Sequence, residues 1–465
     1  MAKRRSLGKR VALACGVLAG VLVVAGVVAY FVLNSVGQRR VDAALARIRA
    51  SGAPTTWEEV IPPPIPEDEN AAVLYEKAVA LIALTKPDPP RPKYPPYPYP
   101  DSSDRSHPLD VLADYLSAAT REQRKALEPA MAQILADNAP ALSYAKQAAG
   151  RAKCRFDGDY TDPPETLPLP LHRVRLQDLS RLASARAILQ ADRGDLPAAL
   201  EAWALPLRMV EHLESEPTLL RQGERCALLA DAADSLQRIL RDNRPDPEWC
   251  RLTADRLAHV NLEAPFVRVL ESRRVEDILL RERLRSDPDR YLLPSLPDTT
   301  EVAAMRLGYR FVGALDEAFA LRRWEQYMSL ADKPYREACS SLDAIARAET
   351  PRYAYVTLMM EPVLAGVWRA RDVAAARLAL VQAALGLAAY RQRFDEYPQT
   401  LDQLRRALTW PVPQDPLSGK DLVYRRDGPG YLLYSVGPNL SDDAGTPVRS
   451  GSLRDDGDIV WRIER

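Results

Sequence analysis

The sequence predicts a mainly α protein: an N-terminal transmembrane helix, a body of helical hairpins packed as a bundle or a repeat-like array, and a small C-terminal α+β module with a three-stranded antiparallel sheet. Three observations predict it. Residues 11–33 carry no charge, residues 109–350 place apolar side chains mostly at helical spacing, and the C-terminal stretch alternates apolar and polar residues around a Gly-rich turn. A chain of 465 residues, 47% of them apolar, is large enough for two or three domains with cores of their own.

The first ten residues hold Lys3, Arg4, Arg5, Lys9 and Arg10 and no acid, so residues 1–10 form a basic tail. The whole chain has a formal charge of zero, which leaves the remainder at −5. Such a remainder lacks the basic surface that neutralising phosphates requires, and this excludes a nucleic-acid partner. Val11 to Leu33 is rich in Val, Ala, Leu and Gly. As a helix it spans about 34 Å against a hydrocarbon core of about 30 Å, so residues 11–33 are expected to lie in a lipid bilayer as an uncleaved anchor. A cleaved signal would need a small-residue junction, offered here only by Ser35 and Gly37, and a lipid-modified Cys15 would need a longer apolar run before it. The basic tail precedes the anchor, while Arg39, Arg40, Arg47 and Arg49 follow it with Asp42 among them; the bias places the tail inside and the bulk outside. Arg far outnumbers Lys, as in a GC-rich bacterial genome, so the expected location is the bacterial inner membrane, single-pass, with a cytoplasmic N-terminus. Beyond the anchor, Cys154, Cys226, Cys250 and Cys339 match no zinc spacing and are read either as buried free thiols or as one or two disulfides.

Residues 34–85 read as short helices: Val41 to Ala50, a break at Ser51-Gly52-Ala53-Pro54, and Asn70 to Leu84. Residues 86–108, dense in Pro and carrying Tyr94, Tyr97 and Tyr99, read as an extended linker that holds the helical domain away from the membrane or as a ligand for aromatic grooves. The helical domain, 109–350, contains Leu171 to Asp192, a turn at Arg193-Gly194-Asp195, and a return helix Leu196 to Glu216; a turn this short makes the pair antiparallel. Ala187, Gly194-Asp195, Ala199-Leu200 and Trp203 make this hairpin similar to one tetratricopeptide unit, although Pro206 interrupts its second helix and no copy recurs at the repeat period. Further helices are expected over Leu219–Asp242, Pro247–Val260 and Phe266–Arg285. In the last, Asp277 with Arg281 and Glu282 with Arg285 read as a solvated face of ion pairs. Loops are expected at Ser286–Thr300 and around Pro334.

Residues 351–465 hold a long Ala-rich helix, Val367 to Gln392, a short one over Gln399–Leu408, and strands at Leu422–Arg426, Tyr431–Val436 and Ile459–Ile463. An isolated hairpin is only marginally stable, so the long helix must serve as the floor of the sheet. Asp415-Pro416-Leu417-Ser418-Gly419-Lys420, Tyr424, Tyr434-Ser435-Val436-Gly437-Pro438-Asn439 and Asp442-Asp443, after Tyr390 and Tyr397-Pro398, resemble the C-terminal module of type II secretion pseudopilins (major pseudopilin G-like). The resemblance covers roughly residues 367–443 and implies a calcium loop whose matching positions are Asn439, Ser441, Asp442 and Asp443, with Asp455, Asp456 and Asp458 able to add oxygens. The alternative is a solvated acidic turn. Residues 1–33 contain no Glu and no Gly-aromatic processing junction, so the resemblance does not extend to pilus assembly.

No phosphate loop, Gly-x-Ser-x-Gly or His-Glu-x-x-His motif occurs. Of four histidines, His107, His172, His212 and His259, His212 stands four residues from Glu216 on a helix, and it reads as a surface or capping residue. The expected function is a membrane-anchored extracytoplasmic protein that binds other envelope proteins. The alternatives are an envelope hydrolase with a carboxylate pair in a helical cleft and a secretion-system accessory protein.

Overall fold

The computed structural model describes residues 2–84, 108–118, 120–157, 176–293, 299–360, 365–447 and 457–464, with the backbone alone for 2–15 and 365. In chain order it begins with α1 (Ala2–Ala50), α2 (Trp57–Val60), α3 (Ala71–Ala80), α4 (Pro108–Ser117), α5 (Arg121–Asp137) and α6 (Ala139–Ala149). Next come α7 (Leu176–Asp192), α8 (Leu196–His212), α9 (Leu219–Asp242), α10 (Pro247–Ala258), α11 (Glu263–Ser286), α12 (Pro288–Tyr291) and α13 (Thr300–Met328). The last elements are α14 (Tyr335–Arg347), α15 (Tyr355–Met360), α16 (Ala365–Phe394), α17 (Leu401–Leu408), β1 (Val423–Asp427), β2 (Gly430–Ser435) and β3 (Ile459–Ile463). The protein is mainly α, with an apolar N-terminal helix and one antiparallel sheet near the C-terminus.

The short helix expected at Val41 is part of α1, which runs 49 residues without a break, about 74 Å at the helical rise. Gly37, the residue most apt to weaken it, is used for packing instead: a Cβ there would lie 2.7 Å from Ala314 Cβ and 2.8 Å from backbone atoms of Ala314 and Leu315. From Gly16 to Val32 α1 is exposed except at Gly26, which is half-buried. Beyond Gly37 it buries Val41, Ala44 and Ile48, at helical spacing, against Ile278 of α11 and Ala318 and Leu321 of α13. The Asn34 amide donates to the Arg310 carbonyl at 3.1 Å, the Tyr30 and Phe311 rings meet edge-on at 5.5 Å, and Arg47 pairs with Glu325 at 2.8 Å. Partner numbers rise together along the two helices, so α1 and α13 run parallel.

The other described helices form two groups. In the first, α3, α6 to α10 and α16 share one core, with α16 packed on α9 and α10. The α7–α8 turn has Gly194 at φ 86°, a left-handed conformation that glycine takes without penalty, and Asp195 caps α8 by accepting from Ala198 N–H at 3.1 Å. Pro206 does not interrupt α8, which continues through it to His212; a 3-10 turn at Leu213–Ser215 replaces the expected last turn. Solenoid repeats touch only their neighbours in sequence, whereas here α16, far along the chain, packs on both α9 and α10. The arrangement is therefore a bundle. Helix α16 is long and apolar enough to cross a membrane, but 78% of its apolar window is buried inside the protein.

Of the Pro-rich segment expected as a spacer, residues 86–107 lie outside the described residues, and Pro108 begins α4. Elements on its two sides pack together: α3, before it, is tied to the strand-like segment after α6 by Ala71 N–H to the Lys153 carbonyl (2.8 Å) and the Asn70 amide to the Arg155 carbonyl (2.7 Å), while α11 and α13 lie directly on α1.

The second group, α11 to α15, corrects the reading of α11 as a solvated face at Asp277 and Arg281, while Glu282 is exposed. Asp277 and Arg281 are buried among α11, α13 and α15. Arg281 bonds both oxygens of Asp277 at 3.0 Å and Asp316 at 2.9 Å, and donates to Thr357 Oγ1 at 3.0 Å; the Trp324 indole donates to Asp277 at 2.9 Å and Val356 N–H to Asp316 at 3.0 Å. Next to this network the buried Glu317 stands 2.7 Å from Arg285. Burial outweighs that cation and pushes its carboxyl up to about 7 from an ordinary 4.5. The native state then holds a proton that the unfolded chain releases, so stability is expected to fall as pH rises from about 4.5 to 7, by on the order of 3 kcal/mol. Glu317→Gln should flatten that slope in urea titrations and gain stability at pH 8. An unchanged slope would show that Glu317 is ionised when folded.

In the C-terminal module the strands lie in the order β1-β2-β3, with Tyr424 opposite Leu433 and Leu433 opposite Trp461. Strand β2 is buried throughout, and α16 lies beneath the sheet. One carboxylate joins two of the motifs read in the sequence. Asp415 accepts from Leu417 N–H (3.0 Å), Ser418 Oγ (2.7 Å), Ser435 Oγ (2.6 Å) and Val436 N–H (3.2 Å). Asp-Pro-x-Ser and Tyr-Ser-x-Gly thus occur together because the first supplies an acceptor that the second needs when buried. Gly437 completes the arrangement, since a Cβ there would overlap the Gly457 carbonyl.

Candidate functional site

An open groove of about 510 Å³ lies between α6, α7 and α8, with α10 at one end. Its floor is made of small residues, Ala139, Ala149, Ala183, Ala198, Ala202 and Ala204, with Leu142 and Leu205. Short side chains at helical spacing on the facing helices leave the space open. The rim is mostly cationic. Lys146 pairs with Glu201 at 2.6 Å, and hydrogen bonding from Lys146, with the nearby Arg186, holds the Glu201 carboxyl below its ordinary range. At the other end Arg208 and Arg256 share Glu211, at 2.7 and 2.6 Å; burial raises the Glu211 pKa, but the two guanidiniums more than reverse that. Arg208 also donates to the Ala149 carbonyl at 3.0 Å, which fixes the end of α6 to α8. Sequence reasoning found the α7–α8 hairpin but missed the groove. The available signal was the row Ala139, Leu142, Lys146, Ala149 on α6, which has no meaning until α6 is known to face α8.

The loop read as a calcium site comes together, but its oxygens are largely occupied. Asn439 Oδ1 accepts from Ser441 N–H at 3.1 Å, and its amide donates to Asp443 at 2.8 Å. Asp442 Oδ1 takes the Tyr434 hydroxyl and Ala444 N–H, both at 2.9 Å. Asp458 accepts from Asp443 N–H at 3.2 Å and Gly445 N–H at 2.7 Å. Asp455 and Asp456 lie outside the described residues. Among the described residues no group of three or more His, Cys, Asp or Glu is placed to hold a metal ion. Calcium takes six to eight oxygens, and this donor set does not fit that shell without breaking the turn. Titrating millimolar calcium into the full chain is expected to give no binding heat and no rise in Tm; a saturable heat lost in Asp442→Asn/Asp443→Asn would overturn the self-bonded turn.

His212 is not at the surface. Both ring nitrogens are engaged, one with the Tyr75 hydroxyl and one with the Arg151 carbonyl, each at 2.9 Å, and burial lowers its pKa to about 4. Glu216 instead accepts from Phe156 N–H at 3.0 Å, so the two share no ligand. His107 and His172 lie outside the described residues. Cys154, Cys226, Cys250 and Cys339 are all free thiols. Burial pushes Cys226 up to about 11 and Cys250 up to about 12, and raises Cys154 as well, so these three are poor nucleophiles near neutral pH.

Asp277 and Asp316 are two buried carboxylates near one another, but Arg281 bridges them and the space beside Asp277 is about 20 Å³, too small for a sugar or peptide. The groove itself is lined by a single carboxylate, Glu201. No family model matches the chain, and no curated protein and no solved structure matches it. What the fold defines is a mainly α protein whose N-terminal helix is long and apolar enough to cross a membrane.

Proposed function

We propose that the chain is a single-pass protein of the bacterial inner membrane, with a cytoplasmic N-terminus and an extracytoplasmic body that binds other envelope proteins. The carrying observation is the run Gly16–Val32, apolar and exposed along a helix whose continuation is firmly packed. Exposed apolar surface of this extent is stable in a bilayer and aggregates in water. The groove between α6 and α8 supports the binding role: it is open, small-residue-floored and cationic at its rim, and it has no second carboxylate for acid–base hydrolysis. The likeness of residues 367–443 to a pseudopilin module favours a partner within a secretion system, and makes the chain an accessory part of one.

Site-specific photo-crosslinking in native membranes tests this reading. A benzophenone side chain at Ala198, in the groove, should give one discrete adduct that mass spectrometry identifies as an envelope protein. The same probe at the exposed Leu252 of α10 should not. Recovery of the chain in the soluble fraction after cell lysis would end the anchored reading, and absence of groove adducts from a membrane-inserted chain would end the binding one.

A further inference from the structure

We propose that the body does not hang below the membrane but rests against it: the corner formed by α12 and the first turns of α13 lies on the outer surface of the bilayer that α1 crosses, with Leu307 reaching the hydrocarbon boundary. This rests on the anchored reading above. The two helices pack tightly at Gly37, where an added Cβ would lie 2.7 Å from Ala314 Cβ. Leu307 precedes Ala314 by seven residues and Tyr30 precedes Gly37 by seven, and the helices run parallel, so Leu307 and Tyr30 lie at about the same depth, roughly 10 Å from the crossing. Tyr30 and Phe31 are aromatic residues at the outer end of the apolar run, the position where aromatic rings mark a membrane interface. Leu307 is 60% exposed, and Arg310 stands one turn away on the same helix.

The surroundings suit lipid headgroups. Arg310 is tied to Asp289 of α12 at 2.6 Å, with both side chains substantially exposed, and α12 closes the same corner. Long cationic side chains at this level keep their charge in the headgroup layer while their stems cover apolar surface. From Gly16 to Val32 α1 is almost wholly exposed, so α13 parts from its side beyond Phe311. No flexible segment lies between anchor and body, because α1 is one helix from the membrane to its packing site. The height and tilt of the body are therefore set by the same rigid rod that crosses the lipid.

Full-length protein in vesicles of phosphatidylethanolamine and phosphatidylglycerol, carrying p-benzoylphenylalanine at one position, tests the inference by intact mass after illumination. Val24, within the anchor, reports insertion. Leu252, exposed on α10 next to the opposite end of α11, reports unspecific contact. Expected is a phospholipid-mass adduct at Val24 and at Leu307 and none at Leu252. An adduct at Val24 without one at Leu307 overturns the membrane-resting corner and leaves the anchor intact. Adducts at both Leu307 and Leu252 also overturn it, as unspecific contact. No adduct at Val24 overturns the anchored reading and this inference with it.

Discussion

Arg281→Met is expected to destabilise the folded chain by about 3–5 kcal/mol, the cost of leaving a buried ion network without its central cation. Arg281 is almost completely buried, and its neutralising role is double: Asp277 sits one turn before it on α11, and Asp316 reaches it from α13. Removing the guanidinium strands two carboxylates in a space that admits almost no water. The Trp324 indole, Val356 N–H and Thr357 hydroxyl would still donate to them, but neutral donors do not offset a buried charge. Urea unfolding at pH 7.5 measures the loss. A triple variant, Arg281→Met with Asp277→Asn and Asp316→Asn, should recover most of it, because the amides keep an acceptor for each donor and the charge problem disappears. Recovery would identify the network as a structural clamp that joins α11, α13 and α15. A fully stable Arg281→Met, or a triple variant as unstable as the single one, would contradict that account.

This clamp also shows where the sequence stops being legible. The helices of the first group could be bounded from the sequence because their ends carry local chemistry: Thr218 caps α9 by accepting from Arg221 N–H, and Asp246 caps α10. Strand β3 has the bounds read in the sequence, Ile459–Ile463. Asp277 and Arg281 carry no such mark, since an Asp and an Arg four apart look the same on a solvated face and between two packed helices. Only the arrival of Asp316 from another helix separates the cases. The same holds for Asp415, whose motif was visible while its four donors were not, and for the groove, whose rim needs α6, α8 and α10 at once. The role of Gly37 in α1 was not legible either, because it lies in the contact with Ala314, which is remote in sequence.

Gly37→Ala supplies the sharper test, because two physical effects predict opposite signs for it. In a helix interior Ala is favoured over Gly by about 1 kcal/mol, so an unpacked Gly37 would make the variant more stable. Gly223, in the middle of α9 with open space where its Cβ would point, is expected to behave in that way. At Gly37 the added Cβ meets the backbone of Ala314 and Leu315 at 2.8 Å, and backbone cannot move aside as a side-chain tip can. Overpacking of this kind costs about 1–3 kcal/mol, enough to exceed the propensity gain. Gly37→Leu should be worse, since it forces α1 off α13 and withdraws Val41, Ala44 and Ile48 from the core, where each buried Val or Ile is worth about 1.5–3 kcal/mol. Thermal unfolding in detergent should therefore rank Gly223→Ala above the native chain, then Gly37→Ala, then Gly37→Leu. Limited proteolysis of Gly37→Leu should cut α1 between Val36 and Ala50 and release the body from the apolar helix. A stabilised Gly37→Ala would mean that α1 does not pack on α13, and the rigid connection between the apolar helix and the body would be lost with it.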